Sequence, residues 1–179
     1  MRTLSSRNHE THGTGDTDMT PQLTRIRSAP GVDSFLYCGF GAPTSIVARN
    51  VRQIGLTLPH YQTNGSASEQ FIAGAEGAAE GVRLPAAAVL VAEQLADDNP
   101  QKAVALAYKT TYQEQFHESV SPFGGHAYDA LHLAVDAIQR AGSTDKEAVR
   151  NALEQTRRFI GADGIFTITP SDHMGLDTE

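Results

Sequence analysis

The chain has 179 residues, with 14 Lys and Arg against 21 Asp and Glu, for a net charge of -7. An acidic chain lacks the basic footprint that phosphate backbones require, and no window approaches the ~18 apolar residues of a membrane span. Neither nucleic-acid binding nor membrane insertion is therefore expected, and the 40% hydrophobic content fits one ordinary domain or two small lobes.

Residues 1–15 are polar, with Thr, Gly and His, and are expected to be disordered or a displaced segment. The stretch Met1–His9 has no apolar core of a secretory signal, so the chain as it stands reads as cytoplasmic. Thr20-Pro21 opens a helix with Thr20 as N-cap and Pro21 at the first helical position; Met19, Leu23 and Ile26 share a face, and Pro30-Gly31 ends it. Ser34–Cys38 is a short apolar run between turn residues, the pattern of a strand buried on both faces. Cys38, the single cysteine, excludes an intrachain disulfide and a thiolate metal cluster, and is expected to be a small buried hydrophobe.

A turn at Gly39–Pro43 leads into a helix with Val47, Val51 and Ile54 inward and Gly55 as its stop. Leu58–Gln62 reads as the next strand, and the intervening length suits a βαβ crossover. A second turn, Thr63–Ser66, precedes a helix capped by Ser68, carrying Phe71, Ile72, Ala75 and Ala79 and ending at Gly81. Val82–Val91 is extended, but Pro85 inside it argues for an edge or a connection.

From Asn99-Pro100 onward the pattern is helical. One helix carries Val104, Tyr108, Thr111 or Tyr112, and Phe116 inward. A second, Gly125–Arg140, has Tyr128, Leu131, Val135 and Ile138 at helical spacing. Thr144–Glu147 reads as a capping box for a third, with Val149 and Leu153 inside. Phe159–Thr169 is a glycine-punctuated, strand-like tail. These helices carry apolar stripes with no sheet in their own half to cover them.

Motifs for chemistry are weak. His9-Glu10-Thr11-His12 lacks the one-turn histidine spacing of a zinc helix, and Gly39-Phe40-Gly41 lacks the third glycine of a dinucleotide fingerprint. No metal or cofactor is expected. Ser171-Asp172-His173 is contiguous in sequence, whereas triads are assembled in space, so a turn role is favoured. Asp16, Asp18 and Asp129 read as caps or solvated residues. Position says more: in open α/β sheets ligands bind beyond the carboxyl ends of the strands. Two such ends, Phe40-Gly41-Ala42 and Asn64-Gly65-Ser66, are small and expose backbone amides suited to an anionic carboxylate. Simple turn chemistry accounts for each residue equally well.

The order of segments resembles a known family. "DTDMTPQLTRIRSAPGVDSFLYCGFGAPTSIVARNVRQIGLTLPHYQTNG" resembles the second lobe of leucine/isoleucine/valine-type solute-binding proteins, and "AEGAAEGVRLPAAAVLVAEQLADDNP" their return crossing. "AYDALHLAVDAIQRAGSTDKEAVRNALEQT" and "FIGADGIFTITPSDHMGL" resemble the helices and tail that go back to the first lobe. The resemblance implies an α/β, periplasmic binding protein type I-like fold. Residues 16–95 would form a parallel α/β second lobe, and residues 96–179 an incomplete helical return to the first lobe. It implies non-enzymatic capture of a small molecule between two lobes for an ABC permease, in the periplasm, which sets it against the cytoplasmic reading above. The acidic residue that meets a ligand's amino group falls on Asn64, so carboxylates without that amino group, aromatic acids among them, come into range. Tyr128 and Phe123 fall where the first lobe gives apolar contacts, and serve equally as core residues. With no first-lobe βαβ core, the chain is expected to be a fragment of such a receptor. A cytoplasmic sensor or regulator with the same fold is the alternative, and a small α/β enzyme the third.

Overall fold

In a computed structural model, residues 8–176 are described. They divide into two units on either side of the Pro85–Ala86 bond. Of the N-terminal expectation, residues 1–7 lie outside the described part. Residues 8–15 are irregular but attached: Glu10 accepts from the Arg25 guanidinium at 2.7 Å, and His12 stacks on Tyr37 with its Nε2 3.0 Å from the phenolic oxygen.

In the first unit, helix α1 (Thr20–Ser28) starts one residue earlier than Thr20 capping would give. Met19, not Thr20, is the N-cap and lends no side-chain bond; the preceding Asp18 accepts from the Thr20 amide at 2.9 Å. Strand β1 (Phe35–Tyr37) and strand β2 (His60–Gln62) pair in parallel, Phe35 opposite His60 and Tyr37 opposite Gln62. Helix α2 (Ala42–Gln53) makes the crossover. Arg83 adds a parallel bridge beside Tyr61, so the extended run after Gly81 takes an edge position. It does not extend to Val91, because Ala88–Gln94 coils into 3-10 turns.

The strands are not buried on both faces. Phe35, His60 and Gln62 point into the unit, whereas Leu36 is 60% exposed and its register partner Tyr61 is exposed too. Side chains alternate along a strand, so Cys38 follows Leu36 outward and is exposed, against the expectation of a buried thiol. α1 and α2 cover the Phe35 face in a core of Met19, Leu23, Phe35, Val47 and Leu56. Helix α3 (Glu69–Ala75) packs on the other side of α2 through Ala48, Phe71 and Ala75. Ser68 caps α3 as expected, accepting from the Phe71 amide at 3.1 Å, but the helix stops at Glu76 in a left-handed conformation and does not reach Gly81.

The second unit contains helices α4 (Lys102–Phe116), α5 (Pro122–Ala141) and α6 (Lys146–Leu153), then a hairpin of β3 (Phe159–Ile160) and β4 (Ile165–Phe166). Asn99 caps the turn into α4, accepting from the Gln101 amide. For α6 the cap is Asp145, which accepts from the Glu147 and Ala148 amides, and not Thr144. Arg140 ties α5 to α6 by donating to the Ala152 carbonyl and the Thr156 hydroxyl.

On α5 the apolar stripe is largely uncovered, as expected of a helix with no sheet in its own half, and of its members Tyr128 packs on the core. Leu131, Val135 and Ile138 are exposed, while Gly125, Asp129, Leu133 and Ala137 are buried. The buried row is mostly small, so its neighbours approach closely; the large apolar row is left without a partner within this unit. Phe116, expected inward on α4, is 52% exposed, while Tyr108 beneath it is buried.

Asp129 is neither a cap nor solvated. It is 1% exposed and accepts from the amides of Ala162 and Asp163 at 2.7 and 2.8 Å. The two aspartates interlock with two glycines: a Cβ on Gly161 would overlap the Asp129 carboxylate, and one on Gly125 would overlap that of Asp163.

Candidate functional site

Two loops meet at the carboxyl edge of β1 and β2. After Tyr37 the chain turns through Gly39–Gly41 into α2. Gly41 takes φ +69° and ψ -152°, a conformation L side chains rarely adopt. No side chain caps α2, and Thr44 closes its first turn by donating from its amide and hydroxyl to the Gly41 carbonyl at 3.2 and 2.7 Å. After Gln62 the chain turns through Asn64–Ser66. The Thr63 amide donates to the Tyr37 carbonyl at 3.1 Å and its hydroxyl to the Gly39 carbonyl at 3.3 Å. Gly65 passes so close to the first loop that a Cβ there would sit 2.5 Å from the Gly39 oxygen. Only glycine allows this approach, and it is what brings the two turns together.

Phe40, Gly41, Ala42, Asn64, Gly65 and Ser66 therefore come from two adjoining turns of one unit. Phe40 is 76% exposed, and Gly41, Ala42 and Asn64 are exposed as well. Ser66 differs: it is fully buried, its hydroxyl donates to Gln62 Oε1, and its amide donates to the Thr63 carbonyl. It does not present its hydroxyl at this edge. Tyr128 belongs to the second unit, on α5, where its ring lies 4.7 Å from that of Tyr108 and 4.3 Å from that of His132. Phe123, near the start of α5, is exposed.

Two polar groups escaped the sequence reading. Behind the edge, His60, Gln62 and Thr44 are buried with Ser66. Burial pushes the His60 imidazole down to about 4, so it is neutral at neutral pH. In the second unit, neither Asp163 oxygen completes a hydrogen bond. Burial, and then the Asp129 charge, push its carboxyl up to about 7, against the partial pull of the Val89 and His126 amides. The His126 Nδ1 lies 3.2 Å away. A polar residue on the inward parity of a strand, as at His60 and Gln62, was the available signal for the first group. A Gly-x-x-x-Asp run facing a Gly-x-Asp turn was the signal for the second.

A shallow cleft between α2 and α3, lined by Arg49, Arg52, Gln53, Ala75, Glu76 and Ala78, includes none of the expected site residues. Among the described residues, no group of three or more His, Cys, Asp or Glu could hold a metal ion, and no helix is long and apolar enough to cross a membrane.

A parallel α/β unit with glycine turns at its strand ends, continued by a helical unit, is the arrangement of a periplasmic binding protein of type I, and the chain belongs to that family. The family profile, described as periplasmic binding protein, matches residues 6–177. Among curated proteins the chain is 28% identical over 165 residues to a leucine-, isoleucine-, valine-, threonine- and alanine-binding protein of Pseudomonas aeruginosa, covering 91% of this chain and 39% of that one. Among solved structures it resembles an extracellular ligand-binding receptor of Rhodopseudomonas palustris at 30% identity and a TM-score of 0.83, covering 91% of this chain and 48% of the other. A leucine-binding protein of Thermotoga maritima follows at 29% identity and a TM-score of 0.71, with 87% and 42% covered. The chain thus spans less than half the length of these relatives. These relatives are described as binding proteins and a ligand-binding receptor, and not as enzymes.

Proposed function

We propose that the chain forms one wall of a solute receptor that captures branched-chain amino acids or related small carboxylates for an ABC importer in the periplasm. The observation that carries this reading is the meeting of two glycine turns at the carboxyl edge of the parallel strands. There Gly41, Ala42, Asn64 and Gly65 are backbone-accessible beside the exposed ring of Phe40. A carboxylate is matched by amides at a helix start, and an aliphatic or aromatic side chain by the Phe40 ring. Ser66 shapes the turn and does not touch the ligand. The permease is the partner to which a closed receptor delivers its load in this reading.

Asn64 sets the class of ligand. Its side-chain carbonyl accepts from an ammonium group, but a neutral amide does so more weakly than a carboxylate. Titration of the wild type and Asn64→Asp with L-leucine and with benzoate, followed by NMR, tests this. Asn64→Asp is expected to tighten leucine binding about tenfold and weaken benzoate binding. A variant that shifts both alike, or neither, refutes the placement of Asn64 at the amino group.

A further inference from the structure

We infer that Gln62 is the positioning residue of this edge: its side-chain amide clamps the start of α2 to the Asn64–Ser66 turn and, in doing so, fixes the tautomer of His60. The inference rests on the reading of the edge as a ligand-binding wall.

Gln62 ends β2 with its side chain pointing inward, 1% exposed. Its Nε2 lies 3.1 Å from the Thr44 carbonyl oxygen. A backbone carbonyl only accepts, so the NH2 group of Gln62 must face it, which settles which end of the amide is which. The other end, Oε1, then accepts the Ser66 hydroxyl. The same NH2 group lies 3.1 Å from His60 Nε2. Two donors cannot face each other, so His60 Nε2 carries the lone pair and the proton sits on Nδ1. Burial also keeps the imidazole neutral, so a single ring nitrogen carries the proton.

Three polar contacts thus converge on one side chain. Thr44 belongs to the first turn of α2 and itself donates to Gly41, so its place sets the exposed backbone at Gly41 and Ala42. Ser66 closes the second turn, which carries Asn64 and Gly65. The Gln62 bonds to Thr44 and Ser66 are buried, whereas the Thr63–Gly39 bond between the two turns is only partly buried. A half-satisfied buried amide is costly, so the Gln62 side chain has a single satisfied orientation, and the spacing of the two turns follows from it. His60 is held in turn by stacking on Phe35, with ring centres 4.4 Å apart.

The test is NMR on the full chain. Nitrogen-15 shifts of the imidazole in the wild type are expected to show His60 as the Nδ1–H tautomer at neutral pH; an Nε2–H tautomer would overturn the inference without any variant. In Gln62→Met, His60 is expected to shift to the Nε2–H form. Amide exchange at Ser66 and Ala67 should accelerate about tenfold while that at Ile26 in α1 stays unchanged. Equal acceleration across the unit would make Gln62 a general core residue and defeat the positioning role. Should Gln62→Met not fold, Ser66→Ala takes its place: it removes one arm of the clamp, leaves His60 in the Nδ1–H form and speeds exchange at Ala67. No change at Ala67 would count against the clamp. Leucine-induced shifts at Gly41 and Gly65 form a separate arm. Absence of shifts in the wild type with both leucine and benzoate, each in large excess over the expected Kd, refutes the proposed ligand site, whereas the tautomer and exchange data decide the clamp by themselves.

Discussion

The two units solve the same problem, a buried polar group, in opposite ways. In the first unit Gln62, Thr44 and Ser66 are neutral, each satisfied by another, and the imidazole of His60 is kept uncharged by burial. The second unit buries two carboxylates side by side. Asp129 accepts from two backbone amides, whereas neither oxygen of Asp163 completes a hydrogen bond and its carboxyl has only the partial pull of the Val89 and His126 amides. A neutral network fixes geometry at little electrostatic cost, which suits a wall that must hold its shape. A carboxylate pair of which one member resists ionisation makes its unit depend on protons.

The largest effect that follows is at Asp129. Asp129→Ala would strand the buried amides of Ala162 and Asp163, and is expected to cost about 3 kcal/mol, read as a lower urea midpoint for probes on α5 and the β3–β4 hairpin. Asp129→Asn keeps an acceptor and should cost about half as much. Equal, small effects of both would show that the carboxylate does not organise the turn.

The next effect is a pH dependence of opposite sign in the two units. Asp163 holds its proton in the folded unit up to about pH 7, while an unfolded chain releases it near 4. The folded state therefore binds more protons across that window, and stability falls as pH rises from about 4 to 7. His60 behaves in reverse. The folded unit refuses a proton until about pH 4, whereas an unfolded histidine takes one near 6.5. Its contribution is present above about 6.5 and is lost on acidification toward 4. Allowing for partial solvation, each effect is on the order of 2 kcal/mol. Unit-specific amide exchange at pH 5 and pH 8 separates them, with Asp163→Asn expected to abolish the slope in the second unit only. Parallel slopes in both units would break the comparison.

The smallest effect is on folding itself. Leu131 and Val135 face outward on α5, so replacing both with Ser should leave unit stability within about 0.5 kcal/mol. Binding of hydrophobic dyes and self-association should drop, because exposed apolar patches drive both. A large loss of stability would mean that this row is packed in solution.

Much of the first unit was legible in the sequence. The apolar run of β1, the glycine turns after the two strands and the Ser68 cap follow from local rules, and the parallel pairing followed from the crossover length. What stayed hidden depends on partners remote in sequence. The amides that Asp129 accepts from lie 33 and 34 residues away, so nothing local distinguishes it from a solvated residue. His60 and Gln62 break the rule that inward strand positions are apolar, and their complementarity is visible only in three dimensions. On α5 the uncovered apolar stripe was legible, but the inward row was not, because it is made of small side chains that admit Asp163 and the hairpin. Cys38 was misread for a simpler reason: an apolar run does not reveal whether both faces of its strand are covered.

The claim at the centre of this account is that the two glycine turns form one wall of a ligand site and not a whole one. Calorimetry of the chain against leucine, isoleucine, valine and benzoate measures it directly. A single wall retains a few hydrogen bonds of about 0.5–1.5 kcal/mol each, set against the several kcal/mol lost on association. The account therefore predicts a Kd of about a millimolar or weaker for every one of these ligands. Micromolar affinity that disappears on Asn64→Ala would contradict it, by showing that this chain carries a complete site.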